Sequence, residues 1–274
     1  MAQALDDLLE ALEDVDDATR EEASKALAEL ANSTTLDALV GACGDEYWTV
    51  RAHAGWGVAR IGGAKAVEAL IVLFNDSIMD VRNDAVAAMA SMGAAVVDRL
   101  ITALKDERWR VREHAAKTCG EIKDRKAVEA LMLVCRDRDG AVKSAVTEAL
   151  GKIGDPRAIP VLIKLFRDPS KTVRETAGTA LISIGQPSVD PLIECLKDKD
   201  FVVRCHAARA LGGMTTDYQI GRTWVRDSKV VDVLIAALKD PDRAAAKRAM
   251  TAMMTMRRID IATIEAARAG RVTD

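Results

Sequence analysis

Three histidines are the side chains best suited to chemistry, and they recur in one place: His53, His114 and His206 each stand two positions after a basic residue, Arg51, Arg112 and Arg204. A repeated imidazole could begin a metal centre or a proton relay. Neither develops, because no second His or Cys lies at ligand spacing and Ala54, Ala115 and Ala207 follow the three rings. The cysteines, Cys43, Cys119, Cys135, Cys195 and Cys205, are odd in number and form no C-x-x-C pair, which fits reduced thiols in a cytoplasmic compartment. Cys205 is the one thiol in a column expected to be exposed. Phosphate loops, nucleophile elbows and H-E-x-x-H are missing, and the glycines of ALGKIG, ARIGG and SIG read as helix ends. Asp84, Glu113, Glu121, Glu148 and Glu175 alternate with Arg60, Lys117, Lys152 and Arg209, a mixed surface unsuited to tracking phosphates. No catalytic residue, cofactor or metal is expected, and nucleic acids and small molecules are not the expected partners.

The elements that hold these residues form a repeat. An Asp recurs as Asp14, Asp45, Asp76, Asp106, Asp137, Asp168, Asp198 and Asp240, at spacings of 31, 31, 30, 31, 31, 30 and 42. Six residues after each comes Arg20, Arg51, Arg82, Arg112, Lys143, Arg174, Arg204 and finally Ala246. Between successive Asp residues run two apolar patterns of helical period, as in VRETAGTALISIG and SVDPLIECLKD. Each unit therefore predicts two antiparallel helices, the first ending near the Asp and the second opening around the V-R. Asp16, Asp139, Ser170, Asp200 and Asp242, two residues after the repeated Asp, are placed to cap second helices, and Asp155-Pro156 opens a first helix in the same way. Small and large apolar residues alternate three and seven positions after the base, from Ala23 and Leu27 to Ala207 and Leu211. The first helices bury Leu12, Cys43, Phe74, Leu104, Cys135, Phe166, Leu196 and Leu238. One such hairpin has no interior, so stability must come from stacking.

VREHAAKTCGEIKDRKAVEALMLVCRD, AVKSAVTEALGKIGDPRAIPVLIKLFRD and VVRCHAARALGG resemble HEAT repeats of the short class found in phycobilin lyase subunits and many prokaryotic scaffold proteins. The resemblance covers essentially the whole chain. It implies an all-α fold, a right-handed α-solenoid of about eight HEAT-like two-helix repeats in one domain, residues 1–274. The units fall at about 1–31, 32–62, 63–93, 94–123, 124–154, 155–185, 186–226 and 227–274, with a loop insertion at 213–226. It also implies that second helices line the concave side and that the repeated Asp and Arg bridge neighbouring units as a ladder. In deoxyhypusine hydroxylases, also HEAT proteins, His-Glu dipeptides hold two irons; no His here precedes Glu.

Function is expected in residues that the columns do not require. Trp48, Trp109 and Phe201 all fall three residues before the base and Trp56 five after it, beside Tyr47. The insertion adds Tyr218, Arg222 and Trp224, types that anchor interfaces. With His53, His114 and His206 these are the expected partner-binding residues of a non-catalytic protein-protein interaction scaffold, gripping its partner through the groove and the insertion. The alternative is a subunit of a phycobilin-lyase-like enzyme, or a maturation factor for a cofactor-bearing enzyme. Composition agrees with a helical scaffold: 274 residues are 49% hydrophobic but only 3% aromatic, so the core must be aliphatic. No apolar run reaches membrane-spanning length and the N-terminus is acidic, so no membrane association is expected. Net charge is -3, yet the first 50 residues hold thirteen acids against Arg20 and Lys25, which reads first as a solvated acidic cap on the terminal unit and alternatively as an end that docks a basic partner.

Overall fold

In a computed structural model, which describes residues 2–214 and their side chains from residue 5, the chain is an all-α solenoid without strands among the described residues. Its helices are α1 (Ala2–Ala11), α2 (Asp17–Leu30), α3 (Leu36–Ala42), α4 (Trp48–Ile61), α5 (Gly63–Leu73), α6 (Met79–Ser91), α7 (Val97–Ala103), α8 (Trp109–Ile122), α9 (Val128–Val134), α10 (Gly140–Ile153), α11 (Ile159–Lys164), α12 (Lys171–Ile184), α13 (Val189–Cys195) and α14 (Phe201–Met214). Odd-numbered helices are the first of each pair and even-numbered ones the second. Two compact units result, Met1–Ala149 and Leu150–Asp274. Within the first, α2, α4, α6 and α8 stack in order; within the second, α12 packs on α14.

Turn chemistry sets where each helix begins. The carboxylate of every repeated Asp from Asp14 to Asp198 accepts the backbone amide two residues on, seven times over. The expected caps follow: Asp16 accepts from Thr19 N, Asp139 from Ala141 N, Ser170 from Val173 N and Asp200 from Val202 N. Asp242 lies outside the described residues. As a result every second helix opens three residues before the base, a few residues ahead of the V-R, so that Asp17, Trp48, Met79, Trp109, Gly140, Lys171 and Phe201 are first-turn residues. First helices are shorter, and α7, α9, α11 and α13 are each entered through a 3-10 turn. Where the chain leaves α4, α6, α10 and α12 it turns through a positive-φ glycine, Gly62, Gly93, Gly154 and Gly185 at φ 78, 64, 72 and 81°, and after α8 Lys123 takes the same place at φ 59°, whereas α2 ends at Ala31 without one.

The apolar columns are the core. Ala54, Val58, Ala85, Met89, Ala115, Cys119, Ala177, Leu181, Ala207 and Leu211 are all 1% exposed or less, as are Phe74, Leu104 and Phe166 from the first helices. Close approach depends on small residues. A Cβ on Gly57 would stand 2.8 Å from Leu39 Cδ1 and 3.1 Å from Ala28 Cα, and one on Gly151 would stand 2.7 Å from Ala180 Cα. All five cysteines are reduced and buried. Burial alone pushes the Cys43 and Cys135 thiols up to about 12, and it is the main cause of the same rise at Cys119. Cys205 departs from expectation: it is 6% exposed, at the bottom of a cleft between α12 and α14 with Phe201 one turn before it.

Among the described residues the charged columns form the ladder where the period is 31 and not where it is 30. Arg51 Nε and Nη2 grip the two oxygens of Asp76 at 2.6 and 2.9 Å, Arg112 grips Asp137 at 2.7 and 3.0 Å, and Arg20 holds Asp45 through Nε at 3.0 Å. Each also donates Nη1 back to the carbonyl of its own unit's Asp. Units shortened to 30 residues bring the next Asp one position early, and the rung is not made. Asp106 turns onto Arg108, Asp198 onto Arg167, and the Nε atoms of Arg82 and Arg174 are buried without a partner.

Candidate protein-docking face

Second helices expose one face, which begins at their first residue and returns every fourth position. On α4 this face carries Trp48 and Trp56, 38% and 37% exposed, with the buried Ala52 between them and Arg60 beyond, donating to Ala28 O of α2 at 2.9 Å. On α6 it carries Met79, 61% exposed, and on α8 Trp109, 40% exposed, with the Arg110 guanidinium 4.9 Å from the Trp109 ring. Because α4, α6 and α8 stack consecutively and all three residues hold the same register, Trp48, Met79 and Trp109 stand in a row. Tyr47 is half-buried at the entry to α4, where its amide donates to Asp45 at 2.7 Å.

The second compact unit has a cleft on the corresponding face, about 250 Å³, between α12 and α14. Phe201, 47% exposed, forms one wall, and Lys171, Arg174 and Arg209 surround it. Its single lining carboxylate, Glu175, is shared by Arg209 at 3.2 Å and Lys171 at 3.8 Å.

The histidines do not belong to one surface. His114 is 2% exposed, a core residue and not a groove residue: Nδ1 donates to Arg110 O at 2.7 Å, and the ring lies 6.1 Å from Phe74. Burial lowers its pKa, assisted by Lys117 and Arg82 and opposed by the Arg110 carbonyl and Glu113. His206 stacks on Phe166 at 5.5 Å while still lining the cleft, and His53 Nδ1 lies 3.3 Å from Ser24 Oγ on α2. Among the described residues no three His, Cys, Asp or Glu side chains could hold a metal ion, and no single helix is long and apolar enough to cross a membrane. Tyr218, Arg222 and Trp224 lie outside the described residues.

The sequence also carries a longer period than the single unit. Two 31-residue units and one of 30 make a larger period of 92, and residues 71–120 match 163–212 at 23 of 50 positions. Phe74, Arg82, Asp106, Trp109 and His114 correspond to Phe166, Arg174, Asp198, Phe201 and His206. The structure keeps this equivalence: both histidines pack on the preceding unit's Phe, and both arginines leave Nε unpaired.

A family model described as HEAT repeats matches residues 5–93, 97–182 and 159–254. No curated protein matches the sequence. Solved structures with a similar fold include a complex of Kap95p with RanGDP (TM-score 0.57, 15% identity, 97% of this chain and 42% of that one). Another is a Kap95:Nup1 complex (0.60, 14% identity, 98% and 44%). The CpcE–CpcF complex of phycocyanin lyase from Nostoc also aligns (0.42, 20% identity, 87% and 95%). The chain thus spans less than half the length of the Kap95 chains, and at 15% and 14% identity the likeness to them is one of fold.

Proposed function

The chain belongs to the HEAT-repeat family, and from that premise we propose that it is a non-catalytic scaffold that binds a partner protein on the exposed face of its second helices. One observation carries this reading. Trp48, Trp56, Met79, Trp109 and Phe201 are large, apolar and more than a third exposed, at positions where packing is satisfied without them. Equivalent first-turn positions hold Asp17, Gly140 and Lys171, so the fold does not need an aromatic residue there. Exposed Trp in a shallow apolar setting is the usual anchor of a protein interface. The Kap95 structures, described as complexes with Ran and with Nup1, show solenoids of this kind engaging protein partners. Five reduced, buried thiols fit a cytoplasmic setting.

The test is affinity capture from the source cell with the wild-type chain, with Trp48→Ala/Trp109→Ala, and with Phe201→Ala, each checked for unchanged helicity. Specific loss of the same co-purifying proteins is expected from the first variant. Identical protein sets from all three would remove the docking face from the account.

A further inference from the structure

The row Trp48–Met79–Trp109 lies among four carboxylates, of which Asp80, Asp84 and Glu107 form no ion pair. Asp80 follows Met79 and is exposed, Asp84 lies one turn further along α6, and Glu107 is exposed just before α8. Glu46, beside Trp48, touches Arg20 at 3.3 Å yet its side chain remains 86% exposed. The nearby cations are already engaged: Arg108 holds Asp106, Lys117 holds Glu113 at 2.7 Å, and Arg110 covers one face of Trp109.

The 92-residue equivalence separates what the fold demands from what the surface has been given. On α12, at the positions of Met79, Asp80 and Asp84, stand Lys171, Thr172 and Thr176, and the helix is built the same way. Acid on α6 is therefore not a packing requirement. It belongs to whatever meets that face.

We infer that the α4–α6–α8 face takes a basic segment of a partner protein, with Lys or Arg interspersed with large apolar residues. This inference rests on the scaffold reading and names the partner's chemistry. Neighbouring second helices lie about 10 Å apart, so the three anchors span about 20 Å. That is the length of about six extended residues, or about four turns of helix. Apolar side chains of the segment pack against Trp48, Met79 and Trp109, while its cations lie over indole faces and against Glu46, Asp80, Asp84 and Glu107. The Arg110–Trp109 contact shows a guanidinium seated on this row from within the chain itself.

The experiment titrates the full chain with two synthetic peptides, one of alternating Lys and Leu and one of alternating Glu and Leu, and follows tryptophan fluorescence. Asp80→Thr/Asp84→Thr and Met79→Lys install residues that the equivalent helix already carries, so folding is preserved. The Lys/Leu peptide is expected to bind the wild type, to bind about tenfold more weakly to the Asp80→Thr/Asp84→Thr variant, and to weaken as salt rises. Trp48→Ala/Trp109→Ala should weaken it by at least as much. Equal binding of the Glu/Leu peptide, or an affinity for Lys/Leu untouched by the charge variant, overturns the basic partner. If the Glu/Leu peptide binds and the Trp variant abolishes that binding, the scaffold reading stands while this inference falls. Failure of the scaffold reading itself would be read from the capture experiment.

Discussion

At the scale of single residues, the arginine column separates ion pairs that are made from ones that are not. Arg112 and Asp137 are each 9% exposed at the side chain and joined by two hydrogen bonds. Burial pushes the Asp137 carboxyl up, yet the Arg112 fork and the Asp139 amide outweigh it and hold the group below its ordinary value. Removing Arg112 would leave that carboxylate without its partner, so Arg112→Ala should cost about 2–3 kcal/mol. Arg82 makes the same carbonyl contacts but no rung, so Arg82→Ala should cost clearly less in the same urea titration; equal midpoints would count against the ladder. His114 adds a pH dependence. Its pKa is lowered from 6.5 in the folded chain, so the unfolded chain binds its proton first and stability should decline as pH falls through 6.5. Lys117, Glu113 and Arg82 face the ring, and His114→Gln, which cannot titrate, should flatten that part of the profile measured between pH 7.5 and 5.5.

At the scale of the helix pair, what was legible in the sequence was what repeats locally. The repeated Asp, whose carboxylate takes the amide two residues on, placed every described second helix because that contact lies within one turn, and caps at Asp16, Asp139, Ser170 and Asp200 reinforce four of the seven. The ladder was legible as an idea and the 30-residue spacings were in plain view, but that one missing residue turns Asp106 onto Arg108 is a matter of geometry. His114 and Cys205 were misplaced for a related reason: residues one and two positions after the base face the boundary between neighbouring pairs. Whether they are covered depends on the facing unit, Phe74 for His114 and the α12 side of the cleft for Cys205. The exit from α8 offers a test at this scale. Lys123 holds φ 59° where the exits of α4, α6, α10 and α12 place Gly, a conformation that costs a side chain about 1 kcal/mol. Lys123→Gly should therefore stabilise the protein by about 0.5 kcal/mol after the added freedom of the unfolded chain is counted, seen as a higher urea midpoint. A lower midpoint would mean that the lysine side chain contributes something its exposed position does not suggest.

At the scale of the whole molecule, stacking makes stability a nearest-neighbour property, because each pair shields only the pairs on either side. The 92-residue period provides a matched experiment. Phe74 and Phe166 are equivalent, each fully buried, one in each compact unit. Truncating either to Ala should cost about 3–5 kcal/mol from the loss of packing and the cavity left behind. In a globular core that loss would lower protection of every amide together, whereas here it should remain near its origin. Phe74→Ala should speed hydrogen exchange in α4 through α8 while α12 and α14 keep wild-type rates, and Phe166→Ala should speed exchange in α12 and α14 while α2 and α4 keep theirs. Uniform acceleration in both variants would show that the chain unfolds as one block. Local loss would have a consequence for binding: a variant that loosens α12 should leave the Trp48–Met79–Trp109 row able to hold its partner, since the helices presenting that row lie within the first compact unit.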